Sequence, residues 1–352
     1  MINIAKKSVG LGEPVYIVAE MSGNHCGRIE YAKQIIDAAV SAGADAVKLQ
    51  TYRPDTITLN SDKEDFLIPG DNPWCSSNNL YALYEQAFTP WEWHRELFDY
   101  AHQQGITLFS APFDETAVDL LESLHCPAYK IASPEITHIP LIKKVARTGK
   151  PVIISTGVAE KEDIDLAIRT VRDCHNEQLI LLKCTSAYPT PPSEIHLSMI
   201  PEFRAQFACE AGLSDHSLGI AVPAASVALG CRFIEKHLVL SREDSSVDGF
   251  FSLTPEEFSA MVQAVRTIEQ AMGRVSFETS AEVRKNAWGK RSLYVSCSVK
   301  KGDAINAENI RCVRPGYGLH PKYYEQVLGK TFKQDAHCGD RLTLDLIDGL
   351  ID

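Results

Sequence analysis

His216 and His237 are the residues of this 352-residue chain whose type and setting point most directly to chemistry. Each ends a short apolar run, EAGLSDH (210–216) and RFIEKH (232–237), and the two runs are consecutive. Imidazoles projecting from adjacent strand tips can share a divalent metal, with water and substrate completing the shell. Two imidazoles alone suit Mn²⁺, with Mg²⁺ and Co²⁺ as alternatives, because they leave positions open that a structural zinc site would close. The competing reading is a pair of histidines hydrogen-bonded at a rim. For one histidine that reading is preferred; for two at matching tips the metal is.

Lys48 in AVKLQ and Lys130 in AYKIAS form a second set with Ser110, Ser133, Ser155 and Ser214. Lysines and hydroxyls converging on one mouth bind a small phosphorylated carboxylate through charge-assisted hydrogen bonds. Each lysine alone fits equally well a structural ion pair with Glu20 or Glu235. Glu20 ends VYIVAE (15–20) and precedes MSGNHCG, whose two glycines permit a tight turn. A carboxylate there serves as a general base or a partner of the metal site, or as the counter-ion of Lys48. Glu135 and Asp248 are further carboxylates within reach of a bound substrate, although Asp248 alone reads as an ordinary loop acid. Cys184, near another run's end, reads as core before nucleophile.

The elements that must position these residues repeat. Eight apolar runs end in polar residues: the five above and ITLFSAP (106–112), PVIISTG (151–157) and LILLKCTS (179–186), with AYKIAS covering 128–133 and AVKLQ 46–50. Helical pattern separates most of them. In one helix Ala32, Ile35, Ile36, Ala39 and Val40 share a face and Gly43 stands where it would end; in the last, Phe258, Met261, Val262, Val265 and Ile268 recur likewise. Eight alternating strands and helices are the count that closes a (β/α)8 TIM barrel, an α/β fold whose reactive groups sit at the strands' C-terminal ends.

Two connections break the spacing. The stretch after Gln50 runs about 40 residues, a length that favours a substrate-binding excursion. SAYPTPPSE, with three prolines, predicts a stiff rim segment. Beyond Met272 the pattern turns polar and then β-rich with Gly-Asp turns. The expected organisation is a barrel over 1–275, a linker over 276–290 and a small β-rich domain over 291–352.

No run approaches the roughly 20 apolar residues of a membrane helix. The N-terminus lacks the apolar core of a secretory signal. Ten cysteines without CxxC spacing read as reduced thiols of a cytoplasmic protein. A net charge of −11 argues against nucleic-acid binding. VGLGEP precedes the first strand and is no dinucleotide fingerprint. Gly329-Lys330-Thr331 has Tyr324 where a phosphate loop needs glycine.

AEMSGNHCG, AVKLQT, FSAPF, AYKIASPE, STG, KCTSAYPT, GLSDHS, IEKH and KKGD…VRPGYG, in this order, resemble the sialic acid (nonulosonic acid) synthase family over essentially the whole chain. That family condenses phosphoenolpyruvate with an N-acetylated amino sugar, and its barrel is followed by an antifreeze-like (SAF) domain. TITLNSDKEDF, LYALYEQAFTPWEWH and KCTSAYPT most resemble the pseudaminate-forming branch, which uses a 6-deoxy sugar, 2,4-diacetamido-2,4,6-trideoxy-altrose. The neuraminate and legionaminate branches share the condensing machinery.

The resemblance implies that His216 and His237 hold the divalent metal. Lys48 then meets the phosphoenolpyruvate carboxylate, and Lys130, Ser133, Ser155 and Ser214 meet its phosphate. Glu20 is the acid/base group. Glu135, Ser186, Tyr188 and Asp248 contact substrate, and Arg314 reaches the sugar's N-acetyl group across a homodimer. Where some neuraminate synthases carry threonine, this chain has Ala111, so Ser110 would have to replace that hydroxyl. Two other readings stay open: a metal-dependent or Schiff-base aldolase on the same barrel, and a non-catalytic sugar-phosphate-binding protein.

Overall fold

The computed structural model describes residues 1–244 and 246–349. The last three residues of the expected C-terminal domain, and Ser245, lie outside the described residues. The chain forms two compact units, Met1–Gly273 and a second that begins at Arg274.

The first unit is a closed barrel of eight parallel strands: β1 (Tyr16–Glu20), β2 (Ala46–Thr51), β3 (Thr107–Pro112), β4 (Tyr129–Ile131), β5 (Val152–Ser155), β6 (Leu179–Cys184), β7 (Glu210–Asp215) and β8 (Phe233–His237), with β8 pairing back to β1. One outer helix follows each strand: α1 (Ile29–Ala42), α2 (Trp93–Gln103), α3 (Glu115–Ser123), α4 (Ile139–Ala146), α5 (Lys161–Asp173), α6 (Met199–Phe207), α7 (Ala221–Ala228) and α8 (Pro255–Met272). A hairpin, Ile2–Ile4 with Lys7–Val9, adds Ile2, Ile4 and Val9 to the same core.

Local chemistry sets the helix ends. Gly43 takes φ 84° after α1, and its N–H reaches the carbonyls of Ala39 and Val40. Thr254 and Glu257 exchange side-chain and backbone hydrogen bonds at the start of α8, as a capping box does. Val40 departs from expectation: it is 37% exposed, whereas Ala32, Ile35, Ile36 and Ala39 are fully buried. At about 100° per residue it falls on the shoulder of that face, not its centre.

Register decides what meets across strands. His237 lies beside Glu20 at the β8/β1 seam, Lys48 beside Glu20 between β2 and β1, and Glu235 beside Ser214 between β8 and β7. Side chains alternate between the interior and the helices, so Glu235 and His237 share the inward face of β8 while Lys236 faces outward.

The 40-residue connection after β2 carries short helices at Pro54–Ile57 and Leu80–Ala87, the latter capped by Asn79 accepting from the Ala82 N–H. Among the described residues no helix is long and apolar enough to cross a membrane. The second unit pairs Ser292–Val295 with Ile310–Val313 and Thr331–Phe332 with Ile347–Asp348, both antiparallel. Its own core includes Leu293, Val295, Ile310, Phe332 and Leu342. Val275 and Phe277, at its beginning, are fully exposed.

Gly212 in β7 marks a close approach of two backbones, since a Cβ there would stand 2.3 Å from the Phe233 carbonyl oxygen. Gly212→Ala should therefore pry β7 from β8 and destabilise the fold by about 2 kcal/mol or more. Chemical denaturation checks this; an unchanged midpoint would mean that the seam tolerates the methyl group.

Candidate active site

The inward residues at the C-terminal ends of the strands line one cavity of about 530 Å³, a size suited to a small ligand. Its charged floor is built on regular strands. Lys48 Nζ lies 2.7 Å from Glu20 Oε2 and 3.5 Å from Glu235 Oε1, and Lys130 Nζ lies 3.1 Å from the same Glu235 oxygen. Gln50 donates to Glu20 (3.0 Å) and Ser214 to Glu235 (3.2 Å). All four charged side chains are at most 4% exposed. The ion-pair reading of the lysines and their place on the cavity floor therefore hold together.

Electrostatics separate the two carboxylates. Burial alone would raise both. At Glu235 the facing ammonium groups of Lys130 and Lys48 overcome it and hold the carboxyl below its ordinary range. At Glu20 burial wins over Lys48, so its proton affinity is raised. One group is a fixed counter-ion; the other is positioned to exchange a proton.

His216 and His237 stand side by side, ring centroids 5.3 Å apart, against Phe251. His216 Nδ1 lies 3.1 Å from the Thr185 carbonyl oxygen. A proton on Nδ1 satisfies that contact and leaves Nε2 with a lone pair. Burial, reinforced by His216 and Lys48, holds His237 well below its usual pKa, and its buried Nδ1 has no hydrogen-bond partner among the described residues. Against burial, Cys184 and the Thr185 carbonyl raise the proton affinity of His216. His237 therefore offers a lone pair as it stands, and His216 does so once its second proton is displaced; a pair of that kind fits a divalent cation. Among the described residues no group of three or more His, Cys, Asp or Glu is arranged to hold a metal ion, so a cation at the two imidazoles would need further ligands from water or substrate.

A hydroxyl group of the site gathers around Gly157. Its N–H donates to Ser133 Oγ (2.9 Å), and a Cβ on it would lie 2.2 Å from Ser186 Oγ and 2.9 Å from Cys184 Sγ. Ser155 Oγ and Ser186 Oγ are buried without hydrogen-bond partners among the described residues. Buried hydroxyls left unpaired in the free protein are costly unless a ligand completes them.

Most residues singled out from the sequence come together here. Ser133, Glu135 and Ser155 join the cavity, as do Tyr188, Ser214, Asp248, the two histidines and the charged floor, whereas Ser186 lies beside Gly157 and does not line it. Asp248 accepts from Ser22 (2.5 Å), and Tyr188 packs 4.5 Å from His216, ring to ring. Ser110 does not join them. Lys48 and Gln50 pair with Phe109 and Ala111, whereas Ser110 pairs with Leu49 on the helix-facing side. Its hydroxyl donates to the Leu49 carbonyl and contacts Thr51 Oγ1 (2.6 Å). It therefore cannot stand in for a hydroxyl at position 111. Arg314 is exposed on the second unit, after Ile310–Val313.

Three features escape a reading by strand tips. Glu235, weighed only as a counter-ion, anchors both lysines; its position two residues before His237 was the available signal. Cys184 is buried yet lines the cavity, its Sγ 3.9 Å from His216 Nδ1, and that contact helps bring its thiol down to about 7 against the opposing effect of burial. Finally, Ile57, Ile68, Leu80, Leu83 and Phe113 form an apolar wall opposite the charged floor.

Comparison with known proteins agrees with this architecture. A model described as the NeuB family matches residues 35–277, and one described as the SAF domain matches 290–347. The chain is 46% identical over 328 residues to the pseudaminic acid synthase of Campylobacter jejuni strain 81-176, covering 93% of this chain and 95% of that protein. It is 40% identical to the pseudaminic acid synthase of Helicobacter pylori strain 26695, over 96% of this chain and 98% of the other. Among solved structures, the spore coat polysaccharide biosynthesis protein SpsE of Bacillus subtilis superposes with a TM-score of 0.67 at 34% identity, covering 100% and 99% of the two chains.

Burial pushes the Glu135 carboxyl up to about 7 from 4.5, and its Oε2 has no hydrogen-bond partner among the described residues. Between those two values the folded protein holds a proton that the unfolded chain releases. Stability therefore declines as pH rises through that window and levels off above it. Glu135→Gln removes the titration. Its melting temperature relative to the unsubstituted protein should climb by a few degrees between pH 4.5 and 7, then stay constant. A difference independent of pH would show that the carboxyl is not held protonated.

Proposed function

The chain belongs to the NeuB family, and on that premise we propose that it condenses phosphoenolpyruvate with 2,4-diacetamido-2,4,6-trideoxy-altrose and water to give pseudaminic acid and phosphate. The observation that carries the reading is one cavity joining an imidazole pair, two lysines and the serine hydroxyls of Ser133, Ser155 and Ser214 to apolar side chains. An anionic, phosphorylated co-substrate suits the floor. A sugar with a 6-methyl group and acetyl methyls suits the wall better than one bearing a 6-hydroxyl, since an apolar surface offers that hydroxyl no partner. The likeness to two pseudaminic acid synthases supports the same choice.

In this reading Lys48 shares its three donors between Glu20 and the phosphoenolpyruvate carboxylate. Lys130, Ser133, Ser155 and Ser214 hold the phosphate, with Gly157 leaving the room it needs. His216 and His237 hold a divalent metal, for which we propose Mn²⁺; once bound, it supplies Lewis-acid polarisation of the sugar's aldehyde. C3 of phosphoenolpyruvate attacks the aldehyde carbon and cationic character develops at C2. Glu20, with its raised proton affinity, takes a proton from the water that adds at C2. The tetrahedral intermediate then breaks its C2–O bond to phosphate as C2=O forms from the new hydroxyl, whose proton leaves with the phosphate. Glu20 passes the proton it took to the alkoxide derived from the aldehyde. Glu135, Tyr188 and Asp248 orient the sugar. We place the enzyme in the cytoplasm as a homodimer in which Arg314 of the partner subunit binds an acetamido group.

Phosphate release from phosphoenolpyruvate with Mn²⁺ tests the assignment. The 6-deoxy diacetamido sugar should exceed N-acetylmannosamine in kcat/KM by about 100-fold. The reverse preference would keep the chemistry and overturn the sugar; turnover of neither would overturn the reaction. Gly157→Ala should raise KM for phosphoenolpyruvate about tenfold or more by crowding Ser186 and Ser133. An unchanged KM would place the phosphate elsewhere.

A further inference from the structure

On the outer face of the barrel, one residue before each histidine, Asp215 and Lys236 lie directly opposite one another in the β7/β8 register. Lys236 Nζ lies 2.6 Å from Asp215 Oδ2, with the side chains 1% and 2% exposed. The network closes around His216. Ser217 N–H and Ser217 Oγ both donate to the Asp215 carboxylate at 3.0 Å, and Lys236 Nζ donates to the Ser217 carbonyl. The residues on both sides of His216 are thus tied to the residue that precedes His237.

We propose that Asp215, Ser217 and Lys236 form a positioning clamp that sets the spacing of His216 and His237, and so the affinity of the pair for a divalent metal. The argument is geometric. His216 stands beyond the last residue of β7, where no barrel ladder holds it. Its backbone carbonyl accepts from Thr190, in the flanking loop. The clamp is what links its segment to β8. A fold-stabilising role alone does not require charge here, because a buried ion pair is often replaced by apolar side chains at little cost to stability. What an apolar pair cannot reproduce is the directed set of hydrogen bonds that fixes a turn beside a ligand.

The inference rests on the proposed metal site, and the test separates the two. Mn²⁺ alone is titrated calorimetrically into the full-length protein, and melting temperature is read without metal. Asp215→Asn combined with Lys236→Met removes both charges together and keeps an acceptor for the Ser217 N–H. It should weaken Mn²⁺ binding at least tenfold while the melting temperature stays within a few degrees. His237→Ala, the control, should abolish binding. Should the double variant fail to fold, Ser217→Ala decides, with an expected loss of about threefold. Normal Mn²⁺ affinity in a folded double variant, or in Ser217→Ala if only that one folds, would overturn the clamp and leave the metal site standing. No binding by the unsubstituted protein would overturn both.

Discussion

The charged floor depends on the Glu235 carboxylate. Lys48 and Lys130 both approach its Oε1, at 3.5 and 3.1 Å, in a region nearly closed to water. Two ammonium groups that close in a low dielectric would repel strongly, and each would tend to lose its proton. Glu235 removes that conflict and draws the lysines to one point. With Glu20 on the far side of Lys48 the floor carries two positive and two negative side chains. An anion can enter because lysine has more donors than the counter-ions use. Local balance, not net charge, explains how a chain of charge −11 can offer the anion site proposed above.

The cavity divides labour between rigid and irregular backbone. Lys48, Lys130, Ser214, Glu235 and His237 stand on barrel strands, whose ladder fixes spacing to the register. The apolar wall comes largely from the excursion after β2, where Ile57, Ile68, Leu80 and Leu83 are only half-buried. Reaction chemistry needs sub-ångström placement and gains it from strands; selectivity needs shape and can be revised in a loop without disturbing the barrel. His216 and Gly157 lie between the regimes, one or two residues beyond a strand end, and both are held by side-chain hydrogen bonds to neighbouring segments.

Much of this was legible in the residues. Short apolar runs between helical stretches identified eight strands, and their polar ends identified the histidines, the lysines and most of the serines. Ser110 shows where that reading stops. A run's end gives proximity to the mouth, but which of two adjacent residues turns inward depends on register against a neighbour, and Leu49 on β2 settles it. Glu235 was read as a counter-ion to one lysine and not as the anchor of both for the converse reason: it lies inside the run, two residues from the tip, and only closure of the barrel brings it to both lysines.

The sequence by itself determined the order of strands and helices, the residue types at the mouth and the likeness that implied a phosphoenolpyruvate-using synthase. These are local properties, carried by periodicity and motif. Tertiary structure alone decided that β8 pairs with β1 so that His237 meets Glu20, that one carboxylate serves two lysines, and that Asp215 and Lys236 join behind the histidines. Each of these contacts spans strands separated by at least 20 positions, as with Asp215 and Lys236, or by more than 200, as with Glu20 and His237. Periodicity along a chain carries no information about distances of that kind; closure of the sheet and burial of the charges supply it.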